Sequence, residues 1–263
     1  MASTLYSSSF YSTYVEESRG SAGEILAFLD QTLHPQSVVD VGCGIGTWLS
    51  VWADLGVDRL LGIDGQYVQP ADLLIPSAQF LPMNLEEPDT SLQTRFDLVE
   101  SLEVAEHLAE DKAAGFVEFL CLLGPVVLFS AAIPHQGGVH HVNEQWPEYW
   151  AELFARQGYR VIDGIRPQVW NNPKVAYYYA QNSFLYVQES RTDLIEKINL
   201  HRLESEPLAR VHPRKWQEKN EVKPGIPPLE SLLLQVPAST VDLGRRAVRQ
   251  LLRILHGGKK ENH

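Results

Sequence analysis

Residues 38–48 read Val38-Val-Asp-Val-Gly-Cys-Gly-Ile-Gly-Thr-Trp48. A short apolar run ends in three glycines at alternate positions, and sequence suited to a helix follows. An apolar run of this length bounded by glycines is a buried strand of a parallel sheet. The glycines let the chain turn sharply and let a ligand lie against the backbone. A helix that starts at Thr47 offers its free N–H groups to a carboxylate or phosphate. Dinucleotide-binding proteins use a related turn, so glycines alone leave the ligand open. Asp40 narrows the choice, because a carboxylate two positions before Gly42 repels a pyrophosphate and suits an ammonium group. Asp64 closes the next apolar run, 18 residues after Gly46. That is near the spacing at which an acidic residue accepts hydrogen bonds from ribose hydroxyls.

The same alternation extends to both sides. Helices are predicted over 22–33, 47–55, 111–123 and 146–157. Strands are predicted over 37–41, 59–64, 78–83, 96–101, 125–133, 159–163 and 183–188. Short apolar runs separated by helices make an α/β fold, a mostly parallel seven-stranded sheet covered on both faces. No helical pattern separates the last two strands, which predicts an antiparallel edge. Three segments are expected: 1–20, with Tyr6, Phe10, Tyr11 and Tyr14 as a possible lid; a main domain over 21–190; and a helical extension over 191–263. In the extension, Ser239 to His256 has the N-cap, apolar face and terminal Gly257 of an amphipathic helix, with Arg245, Arg246, Arg249 and Arg253 off that face.

Together these stretches resemble the class I S-adenosylmethionine-dependent methyltransferases over residues 20–190, with their Rossmann-like fold. Residues 38–48 resemble the first motif of that superfamily, Gly62-Ile-Asp-Gly65 the second, and Phe96-Asp-Leu-Val-Glu-Ser-Leu-Glu-Val-Ala-Glu-His-Leu108 the motif of the fourth strand. The resemblance implies S-adenosylmethionine held by Asp40, Gly42, Cys43, Gly44, Gly46, Thr47, Trp48, Asp64, Gly65 and Glu100. It places Asn84 and Leu85 beside the adenine, where the family often has Asp-Leu. A fold of this kind says little about the methyl acceptor.

Glu103-Val-Ala-Glu-His107 follows the fourth strand. If it opens a helix, Glu103, Glu106 and His107 share one face. Loops after parallel strands meet at the carboxyl edge of such a sheet, so His135, His140 and His141, after the fifth strand, can converge on the same place. Carboxylates with imidazoles suit Mg²⁺ or Mn²⁺, with Fe²⁺ or Zn²⁺ as alternatives. The Glu-x-x-Glu-His motif resembles the small-RNA 2′-O-methyltransferases and the ubiquinone-type O-methyltransferases, which implies a cation that grips an oxygen acceptor; a loop histidine, His141 or His140, would complete the set. The alternatives are a helix start with solvated carboxylates, or one loop histidine acting alone as a general base.

Trp146, Trp170, Asn171, Asn172 and Tyr177 are the candidate acceptor contacts, since aromatic faces with amides and hydroxyls suit a sugar or a flat ring. The expected activity is O-methylation of a small hydroxylated acceptor. A saccharide or glycoside is favoured, by a general likeness to methyltransferases of polysaccharide clusters. The alternatives are a phenolic natural product and a non-catalytic cofactor-binding scaffold.

Charge bears on partners. Residues 1–189 carry 8 Lys and Arg against 24 Asp and Glu, and residues 190–263 carry 14 against 9, so a chain of net charge −11 is an acidic body with a basic end. The acidic body disfavours nucleic acid. The basic end suits a membrane surface, a protein partner or a second copy of the chain. Two cysteines outside any Cys-x-x-Cys spacing, no apolar run long enough to span a bilayer, and no basic-then-apolar leader predict a cytoplasmic protein.

Overall fold

The computed structural model describes residues 8–92, 94–199 and 207–220. The chain divides into two compact units at Gln217 and Glu218, and the residues of the site all belong to the first. The predicted helix over 239–256 and Tyr6 lie outside the described residues, as do the side chains of Phe10, Tyr11 and Tyr14.

In chain order the elements are α1 (Ser8–Leu33), β1 (Ser37–Val41), α2 (Thr47–Asp54), β2 (Arg59–Asp64), β3 (Phe80–Pro82), β4 (Leu98–Leu102), α3 (Ala113–Leu123), β5 (Val126–Ser130), α4 (Pro147–Arg156), β6 (Tyr159–Ile162), α5 (Arg166–Val169), α6 (Tyr177–Asn182), β7 (Phe184–Gln188), α7 (Thr192–Asn199) and α8 (Pro213–Asn220). The seven strands form one sheet in the order β3-β2-β1-β4-β5-β7-β6. The first five are parallel, and β7 runs antiparallel to both of its neighbours. This is the predicted Rossmann-like sheet, with one difference at the end. The span between β6 and β7 is not free of helix but holds α5 and α6. Four and six residues are too short to show a 3.6-residue apolar period.

Successive residues of a strand face opposite sides, and the sheet sorts them into two cores. Val38, Leu98, Leu128 and Leu185 meet Ile25, Leu26 and Leu29 of α1, Trp52 of α2, and Ile195 and Ile198 of α7. Val39, Val99, Val127 and Phe129 meet Phe116 and Leu120 of α3 and Trp150 and Phe154 of α4. Phe154 stacks on Tyr186 with ring centroids 3.8 Å apart. Each such buried side chain contributes about 1.5–3 kcal/mol. α1 runs unbroken through residue 20, and α7, beyond residue 190, supplies core residues.

Residues 207–217 dock through buried polar groups. Arg166, only 1% exposed, forks onto Asp163 and donates to the Leu208 carbonyl at 2.7 Å. The His212 N–H reaches Gln181 Oε1 at 2.7 Å. No described helix is long and apolar enough to cross a membrane.

Candidate active site

β1 delivers the chain into the glycine turn. The N–H groups of Gly42 and Cys43 both bond to the Ile63 carbonyl, at 2.7 and 3.2 Å, which ties the turn to β2. Gly42 has φ +89°, and a Cβ there would lie 2.3 Å from a methyl of Val104. Gly44 has φ +53°, and a Cβ there meets nothing within 4 Å. One glycine is therefore required by packing, and the other leaves a surface open to a ligand. Asp64 links turn and strand: its Oδ2 accepts from the Gly44 N–H at 2.6 Å, and its Oδ1 accepts from the Gly65 N–H at 2.6 Å and from the Tyr67 hydroxyl.

Two cavities flank this turn. The smaller, about 150 Å³, is lined by Asp40, Cys43, Gly44, Thr47, Trp48 and Tyr179 among others. The larger, about 780 Å³, has Asp64, Gly65, Tyr67, Asn84 and Leu85 together with Val104, His107 and His140. Gly42 and Glu103 line both. An elongated ligand with an ammonium at one end and a sugar near Asp64 fits this layout. Asp40 is 3% exposed, and burial first and the charge of Asp64 second push its carboxyl up to about 8. A carboxyl so placed gains from an approaching ammonium. Gly46 lines neither cavity but turns over Ile75 into α2. Glu100 also lines neither; it lies opposite Asp40 on β4, fully buried, and accepts from Trp52 Nε1 at 2.7 Å. Its place is in the sheet, under Asp40.

The segment after β4 is not a helix start, contrary to the expectation from its spacing. Glu103 takes φ +56°, and Ala105–His107 is a single 3₁₀ turn. The left-handed residue gives the two glutamates different sets of partners, although their carboxyls stay close to each other. The oxygens of Glu103 accept from Gln136 Nε2 at 2.8 Å and Asn182 Nδ2 at 3.0 Å. Glu106 instead joins His107 and His141: one donor atom from each lies within 4.8 Å of the others. The return of the loop onto the Glu106 carbonyl, which accepts from the N–H groups of Val142 and Asn143 at 2.9 and 3.0 Å, brings His141 there.

Electrostatics make Glu106 the unusual member. It is fully buried, and its carboxylate oxygens have only weak contacts, with the backbone N–H groups of Glu106 and Ala132 and with the Glu103 carboxyl. Burial, then the Glu103 charge, hold its carboxyl well above the usual carboxylate range; the backbone N–H groups of Glu106 and Ala132 offset this only in part. Burial, then the nearby His141, push the His107 imidazole below its ordinary value, so it is neutral and carries a lone pair. A buried, poorly satisfied carboxylate beside two imidazoles is a donor set that fits a divalent cation.

Of the other loop histidines, His140 lines the larger cavity and gives its carbonyl to His107 Nδ1 at 3.3 Å. His135 is exposed and lies outside the cluster. Among the candidate acceptor residues, Trp146 is 41% exposed next to the histidine loop. Three of the others have their partners elsewhere. Asn172 bonds to Glu24 at 2.9 Å, Tyr177 to Lys215 Nζ at 3.1 Å, and Trp170 packs its ring on His212 at 4.7 Å. None of the five, Asn171 included, lines either cavity.

Four residues of the site escaped the sequence reading. Tyr67 caps Asp64, Gln136 and Asn182 hold Glu103, and Glu144 accepts from His141 Nδ1 at 3.0 Å. Burial raises the Glu144 carboxyl, but its hydrogen bonds from His141, Gly137 and His135 outweigh this and hold it below the usual range. Only Glu144 carried a signal, its spacing of three from His141.

Comparison with known proteins agrees with this geometry. Residues 14–163, more than half of the chain, match the family described as "Methyltransferase domain". A search of curated sequences finds no significant match. Among solved structures, magnesium protoporphyrin IX methyltransferase from Synechocystis PCC 6803, with bound SAH, superposes with a TM-score of 0.50 at 16% identity, covering 71% of this chain and 90% of that one. DesVI of Streptomyces venezuelae gives 0.51 at 15% identity, covering 68% and 96%. At such identities these two share the fold, and the family match carries the membership. With the glycine turn, Asp40 and Asp64 arranged around one cleft, the chain belongs to the methyltransferase-domain family as a class I S-adenosylmethionine-dependent methyltransferase.

Proposed function

We propose that this methyltransferase acts on a hydroxyl of a small acceptor with the help of a divalent cation, a saccharide or glycoside being the favoured acceptor. The observation that carries the reading is the cluster of Glu106, His107 and His141, whose His107 lines the larger cavity together with Asp64 and Gly42. The acceptor oxygen takes the methyl group from the sulfonium, its proton leaves, and S-adenosylhomocysteine is the other product. A bound cation lowers the pKa of an acceptor hydroxyl, the chemistry an alcohol needs to attack at neutral pH. Glu106, His107 and His141 would hold the cation, with Glu103 next to them. Two imidazoles among three donors favour Mn²⁺ over Mg²⁺, which prefers oxygen ligands throughout.

The exposed indole of Trp146 beside the histidine loop offers a face to a sugar ring. An acidic body argues against a long phosphate-bearing acceptor. The buried free thiols of Cys43 and Cys121 accord with a cytoplasmic setting.

The test is transfer of labelled methyl from S-adenosylmethionine to a panel of glycosides and phenols, in excess EDTA and after adding back Mn²⁺ or Mg²⁺. Loss of transfer on chelation and recovery with Mn²⁺ are expected. Full activity in excess EDTA, with no metal by elemental analysis, would overturn the cation and leave the family membership standing.

A further inference from the structure

The loop between β5 and α4 carries its histidines in an unusual backbone. His135, Gly137 and His140 have φ of +66°, +75° and +62°. A left-handed φ is strained for a non-glycine residue, and Glu144 ties down the backbone at the first of the two, His135, and at Gly137. Its Oε2 accepts from the His135 N–H at 2.7 Å, and its Oε1 from the Gly137 N–H at 2.7 Å. The same Oε1 meets His141 Nδ1 at 3.0 Å. The two side chains are 12% and 19% exposed, so this pair is largely shielded from water.

The direction of that last bond follows from its neighbours. A carboxylate that already takes two backbone N–H groups is an acceptor, so His141 Nδ1 donates. The proton on Nδ1 leaves the lone pair of a neutral imidazole on Nε2. His107 is arranged the same way by a different partner: its Nδ1 faces the His140 carbonyl at 3.3 Å, and a carbonyl only accepts. The two rings meet edge to face at 4.8 Å. Both imidazoles thus keep their lone pair on Nε2, and one ring nitrogen of each lies within 4.8 Å of a Glu106 oxygen.

We propose that Glu144 is the positioning residue of this site, fixing the His141 ring as the Nδ1–H tautomer and so keeping its lone pair on Nε2. A carboxylate behind a ligating histidine fixes ring and tautomer in this way in metal sites generally, and its loss weakens metal affinity about 10–100-fold. The proposal rests on the cation reading only for what the lone pair serves. Glu144 touches neither cofactor cavity, so it acts through His141 and the loop backbone that carries it.

The test begins on the unaltered, metal-free full chain. Long-range ¹H–¹⁵N correlation spectra of labelled histidines, taken above pH 8, report the tautomer directly. His141 is expected as Nδ1–H; an Nε2–H tautomer in the unaltered protein would overturn the proposal without any variant. Glu144→Gln then removes the charge at constant size. Its His141 is expected to lose the single tautomer, and Mn²⁺ affinity by calorimetry is expected to fall about 10–100-fold. Affinity for S-adenosylhomocysteine is expected to stay within twofold, which also certifies the fold. Glu144→Asp, which keeps the charge, should recover part of the tautomer preference. An unchanged tautomer in Glu144→Gln overturns the positioning role. An unaltered chain with the Nδ1–H tautomer but no Mn²⁺ binding supports Glu144 and removes the cation reading instead.

Discussion

Replacing Glu106 by Gln should stabilise the metal-free protein while abolishing its response to metal. Glu106 is fully buried, its carboxylate oxygens have only weak hydrogen-bond contacts, and the Glu103 carboxylate adds like charge. Its folded-state pKa lies well above 4.5. The unfolded chain therefore releases this proton first, and the stability that Glu106 contributes declines as pH rises from about 4.5 toward the folded value. At pH 7.5 the group costs stability. Glutamine has no charge to desolvate, and its amide can donate to Glu103. An unsatisfied buried group costs about 1–3 kcal/mol, so a gain of about 1–2 kcal/mol is expected. That is a rise in Tm of roughly 2–8 °C for a domain of this size. The assay is thermal unfolding at pH 7.5 in EDTA and in Mn²⁺. Metal at a hundred times its Kd stabilises the unaltered protein by about 2.7 kcal/mol, and Glu106→Gln should gain almost none of this. Lower stability of Glu106→Gln in EDTA would refute the burial argument. An equal response to Mn²⁺ would refute the role of Glu106 as a ligand.

Three further outcomes are expected. Asp40 is pushed up to about 8, so at pH 7 the ammonium of S-adenosylhomocysteine should expel its proton; calorimetry in buffers of different ionisation heat will show that release in the native chain and its absence in Asp40→Asn. By the same sign, Asp40 takes stability away from the free protein as pH rises from about 4 to 8. Gly44→Ala should keep the fold at a cost of about 1–2 kcal/mol yet bind cofactor at least about tenfold more weakly, whereas Gly42→Ala, aimed into Val104 at 2.3 Å, should lose more in Tm; native affinity in Gly44→Ala would refute the reading of its open face. A chain ending at Gln217 should fold and bind cofactor as the full chain does, while one ending at residue 206 should lose stability by about 1.5–3 kcal/mol or more, because Arg166 loses the Leu208 carbonyl and Gln181 the His212 N–H; equal Tm values would show that the docked segment contributes nothing.

The glycine turn and the two aspartates beside it were legible in the sequence because their determinants are local. A buried strand reads as an unbroken apolar run, and β1, β2, β4 and β5 fall within or close to their predicted limits. The glycine turn and Asp64 keep a spacing that a strand–turn–helix–strand unit imposes by length alone. The acceptor half was less legible. The predicted pairing of Glu103 with Glu106 presumed helical geometry, and one left-handed residue, φ +56° at Glu103, sends the two side chains to different partners. That conformation is held by the Glu103 N–H bonding to Ser130, 27 residues away.

Long-range pairing decided the remainder. Glu103 meets Asn182 across 79 positions, and Arg166 meets Leu208 across 42. No pattern along the chain links such residues, since neither lies at a helical or strand period from the other. The place of β7 between β5 and β6 is likewise a pairing between strands far apart in the chain. The amino-acid sequence by itself determined the layered sheet, its glycine turn and the cofactor carboxylates, because burial and backbone geometry act over a few neighbouring residues. Only the tertiary structure decided that Glu106 rather than Glu103 stands with His107 and His141, because that choice depends on where distant loops close.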